Sequence, residues 1–269
     1  MQTAKSIAGT LRDISAIKMR IIREKFTLNS MFYTEISDLY NLVKLHEAHA
    51  HDNDNVPPPP RKQKVLAVAI TSNKRFYGLL NNNVVDAFLL YAKQDSSVDM
   101  LVVGTTGKQY LYGTEHERKS TYMSFAEDDP TPAENKEFLK RVSGYEKVVV
   151  FYPSFVTVFK QEPVMIDITY TTEPKQMSEE KIQDYIFEPE FSQMLAFFEE
   201  HIKSLLFNRT MLETELSRTA ARLMKMTGAE QSATEHIGEK KRELRKAIES
   251  LSNIRLLESF SGLSIWRTK

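Results

Sequence analysis

No cysteine occurs anywhere in the 269 residues. Disulfides, thiol catalysis and cysteine-based metal sites are therefore excluded, and the chain suits a reducing compartment. Net charge is absent too: 36 Lys and Arg balance 36 Asp and Glu. That removes any overall attraction to nucleic acid or to an anionic membrane surface. There is no run of about 18 apolar residues, so no membrane-spanning helix is expected. The start, Met1-Gln2-Thr3-Ala4-Lys5, has no apolar stretch behind it, and a secretory signal is not expected either. Proline is missing from every position after Pro189, so nothing forces a break in a helix over the last third of the chain.

That last third holds the strongest pattern in the sequence. Leu195, Phe198, Ile202, Leu205, Leu212, Leu216, Leu223, Met226, Ala233, Ile237, Leu244, Ile248 and Leu251 recur at steps of three and four. A 3.5-residue period keeps one seam on one side of a helix, as a coiled coil demands. Continuous from residue 191 to 261, such a helix is roughly 105 Å long at about 1.5 Å per residue. Arg209, Thr219, Glu230 and Lys240 interrupt the seam, and Gly228 and Gly238 lower helix propensity. Two readings fit these interruptions: solvated positions on a long helix, or a distal half sheathed by another protein.

Residues 3–49 predict a second long helix. Ile7, Leu11, Ile14, Ile21, Leu28, Phe32, Leu39 and Leu42 fall near the same repeat. Residues 51–64, with Asp52-Asn53-Asp54-Asn55 and Pro57 to Pro60, cannot continue it and read as a linker. From Val65 the period changes. The apolar runs 65–70, 100–103 and 147–152 predict buried strands of a largely parallel sheet, with helices between them near residues 79–91 and 132–143. Residues 155–160 and 164–170, parted by Gln161-Glu162-Pro163, predict an added hairpin. The expected fold is thus an α/β domain, mostly parallel and Rossmann-like, inserted between two long terminal helices that pair as an antiparallel coiled coil. The boundaries are 1–50 for the first helix, 51–64 for the linker, 65–187 for the α/β domain and 188–269 for the last helix.

Catalytic constellations are missing. Gly104-Thr105-Thr106-Gly107-Lys108 is too short for a phosphate-binding P-loop and reads as a strand-to-helix turn. His46, His49 and His51, with Asp52 and Asp54, miss the spacing of a metalloprotease helix and read as solvated residues at a helix end. Glu127, Asp128 and Asp129 read as an acidic loop. No catalytic residue, cofactor site or metal site is assigned.

A resemblance enters at Leu212-Glu213, Ser217-Arg218-Thr219-Ala220-Ala221-Arg222-Leu223-Met224-Lys225-Met226, Ala229 and Ala233. This stretch resembles the C-terminal helix of the gamma subunit of F-type rotary ATP synthases, with its Ser-x-x-Ala-Ala-Arg-Met-x-x-Met run. Lys74 to Asn81, Gly104 to Gly107 and Phe187-Glu188-Pro189 resemble further segments of that family. Ile17 to Thr27 departs from the family's first helix, and Glu249-Ser250 stand where an Arg-Gln pair is usual, with Arg245 one turn earlier. The resemblance is therefore to a divergent branch.

The resemblance implies a non-catalytic rotor. Its two helices form a shaft inside a ring of alternating alpha and beta subunits, and the α/β domain is a foot seated, with a small epsilon- or delta-type stalk subunit, on the membrane c-ring. It implies partner contacts at Arg222, Met226, Arg245, Arg255, Phe260, Gly262, Leu263, Ile265 and Trp266, the last five in an apolar bearing at the tip. It implies a peripheral location, on the cytoplasmic face of a bacterial inner membrane or the inner face of a mitochondrial or plastid membrane, with no secretion and no nucleic-acid partner. A stand-alone coiled-coil adaptor, whose α/β domain binds a ligand or protein, is the alternative. An adaptor leaves residues 241–266 bare or dimerises through them, whereas a rotor has them sheathed.

Overall fold

The structure is a computed structural model that describes residues 1–50, 64–94, 97–169 and 191–267. The elements are α1 (Gln2–Ala50), β1 (Val65–Ile70), α2 (Leu80–Gln94), β2 (Asp99–Val103), α3 (Thr105–Leu111), β3 (Ser120–Met123), α4 (Pro132–Val142), β4 (Lys147–Phe155), β5 (Gln161–Asp167) and α5 (Phe191–Arg267). Residues 51–63 of the linker, His51 among them, and the Phe187-Glu188-Pro189 motif lie outside the described residues, as do the side chains of His46 and His49. Contacts divide the chain into two units, Ser15–Arg222 and Met1–Ile14 with Leu223–Lys269.

In the Ser15–Arg222 unit the sheet runs β3-β2-β1-β4-β5, parallel except for β5. Strand side chains alternate between faces, so the apolar run of β1 feeds two cores. Leu66, Val68 and Ile70 join Phe138 and Val142 of α4 and Leu206, Phe207 and Met211 of α5. Ala67 and Ala69 join Val84, Val85 and Phe88 of α2 and Leu111 of α3. The fully buried Phe138 and Phe207 rings stack at 4.3 Å between centroids. The sheet is thereby bonded to α5 by its own core. Thr131-Pro132-Ala133-Glu134 starts α4 with a capping box: the Thr131 hydroxyl accepts from the Glu134 amide, and the Glu134 carboxylate accepts from the Thr131 amide.

Two strand assignments are corrected. β3 has no counterpart in the sequence reading: it is four residues long, Ser-Thr-Tyr-Met, and as an edge strand it needs little apolar surface. The hairpin also differs. Residues 153–155 continue β4, Thr157 and Lys160 close the turn by mutual backbone hydrogen bonds, and β5 begins at Gln161, before Pro163. Pro163 does not end the strand because β5 is an edge, where a missing amide costs no ladder bond.

Helices α1 and α5 pair antiparallel. In the Ser15–Arg222 unit, Lys18 pairs with Glu215, the Arg209 guanidinium lies over Phe26 and Tyr33, and Tyr40 meets Phe198 edge-on. Rising numbers on α1 meet falling numbers on α5. The seam of α5 is the expected one: Ile202, Leu216 and Met226 are buried. The seam of α1 is turned by about one residue, or about 100°. Ser15, Ile22, Tyr40 and Val43 are buried, whereas Ile21, Leu28, Phe32 and Leu39 are exposed. The cause is the charge on α5. Glu215 and Arg209 draw Lys18, Phe26 and Tyr33 toward them, and that rotation brings the neighbouring stripe into the seam. The Met1–Ile14 and Leu223–Lys269 unit shows the same shift. There Arg12 pairs with Glu230, Ala8 is buried, and Ile7 and Ile14 are exposed.

Candidate functional site

Open α/β sheets bind their ligands in the crevice outside the carboxyl ends of the strands. In this chain that place is occupied by the chain itself. Arg218 of α5 is about 1% exposed. Its Nη2 donates to the Thr71 carbonyl just beyond β1 at 2.7 Å, and its Nη1 donates to the Asp128 carbonyl at 3.1 Å. The crevice lined by Ile70, Thr71, Val103, Gly104, Asp128, Met211 and Arg218 has no volume left for a water molecule.

Asp128 is the second centre. Its Oδ1 accepts from the Asn73 amide at 2.5 Å and the Lys74 amide at 3.3 Å, and its Oδ2 accepts from the Tyr77 hydroxyl at 2.7 Å. Tyr77 in turn accepts a hydrogen bond from Arg222, whose guanidinium lies 4.5 Å from the ring centroid. Phe76 holds a left-handed φ of 74° next to Tyr77. Such a backbone costs about 1–3 kcal/mol and persists where the surroundings impose it.

Burial alone would raise the Asp128 carboxyl. The Tyr77 hydrogen bond, the Arg218 charge and the two amides outweigh it and hold Asp128 below its ordinary value of 3.8. Tyr77 is pushed well up, first by burial and then by Asp128. A depressed carboxylate stabilises the fold above its unfolded value and loses that contribution as pH falls through the folded one. D128N is therefore expected to cost about 2 kcal/mol at pH 7. The gap from wild type should shrink below about pH 4, as read by urea unfolding across pH; a gap independent of pH would refute the assignment.

The turn after β2 is used up in the same way. The Thr105 amide donates to Asn73 Oδ1, the Thr106 amide to the Ser72 carbonyl and the Gly107 amide to Thr71 Oγ1. These are the donors a phosphate would need, and the chain has spent them on its own β1 loop. Gly104 has φ +100°, and a Cβ there would stand 2.5 Å from the Thr71 carbonyl oxygen. This glycine pair serves close packing. A second link joins α5 to the sheet: Glu213 accepts from the Tyr152 hydroxyl, the Ser154 hydroxyl and the Phe155 amide.

Of the residues expected at partner contacts, Arg222 lies in this network and Met226 is buried within the Met1–Ile14 and Leu223–Lys269 unit. Arg245, Arg255 and Phe260 lie on an exposed stretch of α5. Gly262, Leu263, Ile265 and Trp266 are on α5, and their side chains are outside the described residues. Sequence reading missed Arg218, Asp128, Tyr77 and Asn73 as one group. The available signal was an arginine inside the seam-side run Leu216 to Ala220, facing an acidic loop 90 residues earlier.

An α/β domain fastened to a long helix through a crevice filled by that helix's own arginine defines a structural, stalk-like protein rather than a dinucleotide binder. A family model described as ATP synthase matches residues 1–248, and the chain belongs to this family. The ATP synthase gamma chain of Geotalea daltonii is 23% identical over 265 residues, 95% of this chain and 91% of that relative. The gamma chain of Desulfitobacterium hafniense is 24% identical over 272 residues, 98% and 94% of the two chains. In fold the chain resembles one in the central stalk and c-ring structure of Tetrahymena thermophila mitochondrial ATP synthase, with a TM-score of 0.60 and 18% identity, covering 83% of this chain and 99% of that one.

Proposed function

We propose that the chain is the central-stalk rotor of an F-type ATP synthase or ATPase, turning inside a ring of alpha and beta subunits and coupling ion translocation to ATP synthesis or hydrolysis. The distal part of α5 carries this reading. From Glu239 to Ser261 every residue is exposed, including Leu244, Ile248 and Leu251 at seam spacing, then Ile254, Leu256, Leu257 and Phe260. The Arg12–Glu230 pair fixes an antiparallel register that puts Met1 level with about residue 241. Beyond it, among the described residues, no part of this chain covers the seam. Apolar surface repeated along a helix calls for a sheath, and a ring of other subunits supplies one.

The division of labour is residues 1–50 and 188–269 as shaft, 51–64 as linker and 65–187 as foot. ATP chemistry belongs to the beta subunits, and this chain conveys torque. Arg218, Glu213 and the stacked Phe138 and Phe207 tie the foot to α5 so that a turn applied to one is delivered to the other. The foot meets a small epsilon- or delta-type subunit and the c-ring. Among the described residues no helix is long and apolar enough to cross a membrane, and attachment to the c-ring makes the chain peripheral on the inner face. Arg245, Arg255 and the tip residues Phe260, Gly262, Leu263, Ile265 and Trp266 contact the ring, whereas Met226 is buried within this chain and Arg222 is engaged with Tyr77. An apolar collar at the tip resists sideways displacement without directional bonds to break at each step. Replacing Leu263 and Trp266 together by alanine is expected to leave the complex assembled while uncoupling ATP hydrolysis from ion pumping. Pumping per ATP unchanged in the double variant would remove the bearing role.

A further inference from the structure

A groove of about 920 Å³ opens between α4, α5 and the residues just after β5, and it shares no lining residue with the filled crevice. Its apolar wall is Leu139, Val142, Tyr145 and Ile168, and its rim carries Lys136, Lys140, Lys203 and His201. Among the described residues no carboxylate lines it. Lys136 and Lys140 are one turn apart on α4, a spacing at which like charges repel. The acids of α4 do not relieve them: Glu134 is held by the Thr131 cap and the Ala126 amide, and Glu137 is not among the lining residues. Among the described residues none of the three lysines enters an ion pair. Asn135 donates to Asn208 across the two helices at 2.8 Å, and its Oδ1 is buried with no partner of its own.

We propose that this groove binds a multiply charged phosphate compound, with the lysines on the phosphates and an apolar or aromatic body against Tyr145 and Leu139. The volume falls in the range of small-molecule sites. Lysine ammoniums act as point charges for phosphate, and their mutual repulsion is relieved when an anion enters. The shared chemistry is a polyphosphate, free or on a nucleoside.

The test uses the full chain purified without other subunits, titrated calorimetrically at low salt with ATP and, separately, with inorganic tripolyphosphate. One saturable site per chain is expected, weakened at least tenfold in K136A/K203A; Lys136 is exposed and Lys203 half-buried, and the variant is expected to keep the wild-type circular dichroism. Tighter binding of ATP than of tripolyphosphate assigns the body to a nucleoside; equal binding assigns the site to phosphate alone. No saturable binding at millimolar ligand overturns the proposal, including the case in which the acids of residues 170–190 of this same chain take the lysines. Binding that K136A/K203A leaves unaltered overturns it equally.

Discussion

R218M is expected to lower the stability of the chain by about 3–5 kcal/mol at pH 7. Methionine keeps the volume of the arginine stem, so any cavity is confined to the space of the guanidinium and the larger part of the loss lies elsewhere. It comes from polar groups left behind. The carbonyls of Thr71 and Asp128 lose their donors, and each buried acceptor without a partner costs about 1–3 kcal/mol. The Asp128 carboxylate also loses the nearest buried positive charge that holds it ionised. For a unit of this size such a loss lowers Tm by roughly 6–12 °C. R218K is expected to recover little, because one ammonium cannot reproduce two divergent guanidinium donors. Thermal unfolding of the full-length variants decides the matter. A change in Tm under about 2 °C would mean that the filled crevice is packing without consequence, and the clamp between sheet and helix would have to lie elsewhere.

The opposite signature is expected on distal α5. Leu244, Ile248 and Leu251 are 55–60% exposed, and exposed substitutions of this kind usually stay within about 0.5 kcal/mol. The triple variant L244E/I248E/L251E should therefore fold with an unchanged Tm. In the complex it should fail: three apolar side chains, each contributing about 1.5–3 kcal/mol when fully buried, are replaced by carboxylates that a sheath would have to desolvate. Recovery of an ATPase-active complex with this chain as bait should fall more than tenfold. A triple variant that assembles as wild type does would show that this stretch stays bare in the assembly.

How legible the fold was depended on how each segment earns its place. β1 and β4 announce themselves because both of their faces are buried, which selects a continuous run of apolar residues, Val65 to Ile70 and Val148 to Tyr152. The α5 seam was legible because the same face is used for several heptads. The α1 seam was misphased because periodicity records where apolar residues are, not which stripe a charged partner selects. Glu215, Glu230 and Arg209 made that selection from the other end of the chain. β3 was invisible because an edge strand of four residues needs no pattern. The network at the strand ends was hidden for a related reason. Arg218, Asp128 and Tyr77 come from three distant segments, and an arginine on a helix reads as solvated until the fold closes over it. The resembling stretch from Leu212 to Ala233 did mark the region. The structure gives its physical content at Glu213, Arg218 and Arg222, each of which bonds α5 to the sheet domain.

The most direct measurement is native mass spectrometry of this chain purified gently from its own cells. The expected particle contains three alpha subunits, three beta subunits and one copy of this chain, and it hydrolyses ATP. A homodimer or a lone monomer, reproduced under mild conditions with Mg-nucleotide present, would contradict the rotor function.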